Sequence, residues 1–109
     1  MQVRRIGDWT LEDRLAESDR PLVVLFFRAD GARSAIPEAA FRRLADAYPA
    51  ARFVEVDLVE NPALAARFAV TAPPETLVFV GGIEKGRGRG VRLEPAVAGL
   101  LGPRANDVG

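Results

Sequence analysis

The sequence predicts an α/β domain, a central mixed sheet of four to five strands flanked by four helices. Three observations predict it. Pro21 leads into Leu-Val-Val-Leu-Phe-Phe27, an unbroken apolar run with the length and branching of a strand buried on both faces. Strand-like and helix-like patterns then alternate, giving the order β-α-β-α-β-α-β-β-α. Gly81-Gly82, between two strand-like runs, marks a closing hairpin, so the sheet is mixed.

Gln2 to Ile6 reads as a short first strand, because it is extended in composition and moderately polar. Thr10 starts a helix, with Asp13 three residues on in a capping-box-like pattern. Leu11, Leu15 and Ala16 form its apolar stripe, and Asp19-Arg20-Pro21 ends it. Trp9, at the helix entry, is expected to lie over the core. After the buried strand, the loop Arg28 to Ser34 lies at the carboxyl end of a central strand, where open α/β sheets hold their sites.

Ser34 is the expected N-cap of the second helix, with Pro37 in the first turn, where a missing N–H costs little. Phe41, Leu44, Ala45 and Tyr48 fall at i, i+3, i+4 and i+7, one buried face. Pro49 closes this helix. Arg52 to Leu58 reads as a strand parallel to the buried one, since a helix joins them. Asn61-Pro62 is a cap followed by an N1 proline, and Leu64, Ala65 and Phe68 face inward on the third helix.

Thr71-Ala-Pro-Pro74 breaks the chain before the strand Thr76 to Val80, and Gly86 to Val91 is the return strand. Its glycines and arginines read as an edge that discourages further pairing. They do not read as a phosphate loop or an RNA-binding segment, because no helix starts there and no aromatics interleave. Pro95 opens the last helix, with Val97, Leu100 and Leu101 inward. Residues 1–102 form one domain, and 103–109 are expected to be a flexible tail.

Composition narrows the chemistry. The 109 residues carry 15 basic and 15 acidic side chains, so no net field attracts nucleic acid or an anionic membrane. All the basic residues except Lys85 are arginine. There is no cysteine and no histidine, which removes disulfides, thiolate metal sites, thiol redox chemistry and the commonest general base. Ser34 as a nucleophile would need a base, and none is apparent. No enzyme activity, metal or cofactor is therefore expected. No apolar run approaches the about 18 residues of a membrane span. Arg4-Arg5 lacks the apolar stretch of an export signal, so a cytoplasmic location is expected.

The element order, with Asn61-Pro62 before the third helix and a proline just before the next strand, resembles thioredoxin over nearly the whole chain. From Phe26 to Tyr48 the alignment needs no gap. It places Gly31-Ala32-Arg33-Ser34 at the redox Cys-X-X-Cys tetrad, where exchange without a thiolate is impossible. The buried aspartate of thioredoxins falls at Leu25 and its lysine neighbour at Glu55. Pro74 matches the proline that is cis in that fold.

Two segments, Pro74-Glu-Thr-Leu-Val-Phe-Val-Gly-Gly82 and Asp57-Leu-Val-Glu with Ala66-Arg-Phe68, are similar to hydrogenase-expression proteins of the HyaE/HupG type. These are thioredoxin-like chaperones without the cysteine pair. The resemblance implies binding of the twin-arginine signal peptide of a [NiFe] hydrogenase small-subunit precursor before export. The implied site combines the old redox loop (Asp30, Gly31, Ala32, Arg33, Ser34), the proline ledge (Ala72, Pro73, Pro74) and the acids Glu55, Asp57 and Glu75. Arginine would pair with those acids and with Glu60 through its bidentate fork. Pro73 has no N–H, so a strand added at the ledge has only its carbonyl to bond there. The alternative is a redox-inactive scaffold or adaptor for another protein partner.

Overall fold

The computed structural model describes residues 3–17, 19–29 and 35–105. Five strands form one sheet in the order β1-β3-β2-β4-β5: β1 (Arg4–Arg5), β2 (Leu22–Phe27), β3 (Arg52–Asp57), β4 (Glu75–Val80) and β5 (Ile83–Arg89). β1, β2 and β3 are mutually parallel, and β4 runs antiparallel to both β2 and β5. The helices are α1 (Asp8–Ala16), α2 (Ala35–Ala47), α3 (Pro62–Arg67) and α4 (Pro95–Ala98), the last continued by a 3₁₀ turn, Gly99–Leu101.

β2 is buried at every position, as six apolar residues without alternation require. Its odd-numbered residues Val23, Leu25 and Phe27 face Phe41, Ala45 and Tyr48 of α2, together with Leu101. Its even-numbered residues Leu22, Val24 and Phe26 face Leu11 of α1 and Leu64 of α3. The sheet thus separates two apolar layers. Gly81 and Gly82 both have positive φ, +63° and +79°, the conformation of the tight hairpin between β4 and β5.

The structure corrects several expectations. The first strand is two residues long, and of its expected span Gln2 lies outside the described residues. α1 begins at Asp8 rather than Thr10, behind Gly7 and without a side-chain capping bond. Successive helical residues turn by about 100°, so with Leu11 buried, Trp9 two positions away lies on the opposite side. It is 87% exposed and covers no core; Ala16 is also exposed. In the 3₁₀ turn neighbouring residues diverge, so Leu101 is buried and Leu100 is exposed.

The Ala105 amide donates to the Ala47 carbonyl (2.7 Å), and the Arg104 guanidinium lies 5.5 Å from the Tyr48 ring centre. Among the described residues no helix is long and apolar enough to cross a membrane.

Candidate functional site

Because β4 runs against β2, the start of β4 meets the carboxyl end of β2, with Glu75 opposite Phe26. Pro74 therefore stands at the end of the sheet toward which the parallel strands point. The peptide between Pro73 and Pro74 is cis. The Pro74 carbonyl accepts the Gly90 amide (2.8 Å), and Thr76 Oγ1 donates to the Gly90 carbonyl (2.5 Å). These bonds fix the turn after β5 beside the proline. Gly90 has φ +57°, which favours glycine at that turn.

Between this turn and α2 lies an open groove of about 540 Å³, lined by Pro37, Ala40, Pro74, Gly90 and Val91, with Arg89 and Arg92 completing its walls. The volume is in the range of small-molecule or side-chain pockets. Its surface is mostly apolar, with two exposed arginines at the edge. Of the residues expected at the ledge, Pro74 lines this groove, Pro73 is half-buried and Ala72 is exposed. Asp30, Gly31, Ala32, Arg33 and Ser34, the N-cap included, lie outside the described residues.

The acids do not form one face. Glu55 and Asp57 share the α2 side of β3 with Phe53, and both are buried. Asp57 Oδ1 accepts the Ala29 amide (3.1 Å) and the Val59 amide (3.0 Å), so it ties the end of β2 to the turn after β3. Asn61 Nδ2 bonds the Asp57 carbonyl (3.1 Å) and secures the entry to α3.

Glu75 projects to the other layer. It lies 3.4 Å from Arg87, which also donates to the carbonyls of Phe68 (2.8 Å) and Ala69 (3.0 Å) at the end of α3. The hydrogen bond and charge of Glu84, with the charge of Glu75, raise the Arg87 pKa against the opposing effect of burial. Glu60 is exposed.

Glu55 sits beside Leu25 in the parallel register, and Leu25 in turn faces Thr76. The Arg5 Nε is 3.5 Å from Glu55 Oε1, and its Nη2 donates to Glu38 Oε1 (2.7 Å). Glu55 Oε2 is buried with no hydrogen-bond partner. Burial pushes the Glu55 carboxyl above its ordinary range, and Glu38 adds to this; Arg5 and Arg42 pull the other way. For Arg5, burial favours the neutral form, but the Glu38 hydrogen bond and the charges of Glu55, Glu38 and Asp57 outweigh it and raise the pKa. The Glu55 carboxylate is thus held inside the fold, with the exposed Arg5 as its cover.

Sequence reasoning missed the groove walls contributed by Pro37, Ala40, Arg89, Gly90, Val91 and Arg92. Only the meeting of α2 with the β5 turn brings them to Pro74, and no local spacing encodes that meeting. Among the described residues, no group of three or more acidic, cysteine or histidine side chains could hold a metal ion.

No family model and no curated protein matches the chain. Similar solved structures include Malassezia sympodialis thioredoxin, at 18% identity over 93% of this chain and 92% of that one, with a TM-score of 0.77. Fasciola hepatica thioredoxin is 27% identical over 84% of this chain and 88% of its own, with a TM-score of 0.73. Mitochondrial thioredoxin 3 from Saccharomyces cerevisiae is 24% identical over 83% and 85%, with a TM-score of 0.72. With its five-stranded mixed sheet and four helices, the chain has the thioredoxin fold, in a sequence that contains no cysteine.

Proposed function

We propose that this protein is a non-catalytic cytoplasmic chaperone that holds the signal segment of a [NiFe] hydrogenase small-subunit precursor before export. The partner comes from the resemblance of the region from Val54 to Gly82 to chaperones of that kind. The observation that supports binding is the apolar groove beside Pro74, open to solvent at the end of the sheet.

The groove also refines the mode of capture. Arg89 and Arg92 at its edge repel a second pair of arginines, while Glu55 and Asp57 are occupied inside the protein. An export signal carries an apolar stretch after its basic start. In this reading the apolar stretch enters the groove, and the arginine pair stays outside it, toward solvent-exposed carboxylates such as Glu60.

An amide-shift titration of labelled protein tests this with three peptides: the natural signal, a twin-lysine version, and one whose apolar stretch is made polar. Saturable shifts at residues 37–40, 74 and 89–92 are expected for the first two and lost with the third. Shifts that require the arginine pair alone would replace apolar capture by charge recognition. Silence at millimolar peptide would remove signal binding and leave the scaffold reading.

A further inference from the structure

A second cleft lies at the other end of the sheet, where β2 and β3 begin. It encloses about 470 Å³ and is lined by Arg4 of β1, Arg14 of α1, Arg20 of the α1–β2 connection and Arg52 at the start of β3. Among the described residues Glu17 is the one carboxylate in its wall; Ala51, Phe53 and Val54 complete it.

Part of this charge is neutralised within the fold. Glu17 bridges Arg14 (3.4 Å) and Arg52, and Asp19 lies 3.4 Å from Arg52 Nη2. Two carboxylates thus serve Arg14 and Arg52. Arg4 and Arg20 are exposed and form no ion pair or side-chain hydrogen bond with the described residues. Arg52 Nε is buried and has no acceptor. α1 turns its negative end toward this cleft, and Arg14 in its last turn offsets that end.

Exposed guanidinium groups need no partner for stability, but like charges gathered at one cleft repel one another unless an anion joins them. Here two converge unpaired on the same cavity and a third leaves an N–H without an acceptor. Arginine's planar fork matches phosphate oxygens in a bidentate manner, and free forks from separate elements suit an anion with more than one phosphate. The volume falls in the range of small-molecule sites.

We propose that the cleft formed by Arg4, Arg14, Arg20 and Arg52 binds a small anion carrying a diphosphate group. It is distant in the fold from the Pro74 groove and does not rest on the chaperone reading.

The test is a titration of the labelled full chain with inorganic pyrophosphate and, in a second arm, with ADP, reading the amides of residues 4, 20 and 52–54 and the arginine Nε–H signals. R4Q/R20Q removes the two unpaired groups from exposed positions and is expected to keep the wild-type fold, checked by thermal unfolding. R42Q/R43Q, on the exposed side of α2, removes the same charge elsewhere.

The expected result is saturable binding that weakens by about tenfold or more in R4Q/R20Q, as loss of charged hydrogen bonds predicts. R42Q/R43Q should bind as the wild type does. Tighter binding of ADP than of pyrophosphate would assign a nucleotide, and equal or weaker binding would assign the diphosphate group itself. No saturation at millimolar ligand, an unchanged affinity in R4Q/R20Q, or an equal loss in both variants would overturn the proposal.

Discussion

Glu55 shows how one residue can be chemically prominent and still structural. Its carboxyl is buried on β3, touches Arg5 through one oxygen and leaves the other without a partner. Burial raises its pKa above the ordinary 4.5, so the native state holds the proton more tightly than the unfolded chain does. The linkage sign follows: this group's contribution is fully present below the unfolded value and is lost as pH rises through the folded one. Glu55→Gln keeps the shape and removes the ionisation. Urea midpoints at pH 4, 5.5 and 7 should therefore coincide with wild type at the lowest pH, with the variant more stable at pH 7. A wild type that is the more stable protein at pH 7 would mean that the Arg5 attraction exceeds the cost of burial.

At the scale of the element, legibility followed how local the cause was. β2 could be read because six apolar residues need cover on both sides, and α2 because its four inward residues repeat at helical spacing. In β3 apolar residues alternate with acids, yet both of its faces are buried, because α2 covers the acidic side and α1 and α3 cover the other. Trp9 lies off the core because α1 begins before it, and helical geometry then sets it about 200° from the buried Leu11. The glycines of β5 were read as a property of an edge, but their neighbours explain them better. A Cβ on Gly86 would come within 2.5 Å of Val97 Cγ2, and one on Gly88 would overlap the Arg92 carbonyl. The register between β4 and β5 also shifts at Val78/Phe79, where Lys85 is the extra residue. Gly88→Ala should then cost about 1–3 kcal/mol by overpacking against backbone, and Gly86→Ala less, because the Val97 side chain can turn away. Denaturant midpoints of the two variants measure this, and a neutral Gly88→Ala would refute the close approach.

At the scale of the whole molecule, the sheet acts as a wall between two cores. Phe26, Phe68 and Phe79 form a chain of ring contacts on the α1–α3 side, with centres 5.5 and 5.8 Å apart. Phe41 and Phe53 meet edge-on at 5.4 Å on the α2 side. Side chains on opposite faces share no partner in either cluster. Backbone between them is pinned by the ladders on both sides, so a cavity on one face has little means of relaxing into the other. Energies should accordingly add across the sheet and couple within a layer. Phe41→Leu and Leu64→Ala, one on each face, are expected to sum to within about 0.5 kcal/mol in a double-mutant cycle. Phe26→Leu and Phe68→Leu, in direct contact, should show a coupling of about 0.5–1.5 kcal/mol. Chemical denaturation of the two cycles decides the matter. Strong coupling across the sheet would mean that strain crosses β2, and the Pro74 groove on the α2 side would then respond to packing changes at α3. Additivity would leave the groove insulated, so that α1–α3 variants alter stability without altering peptide affinity.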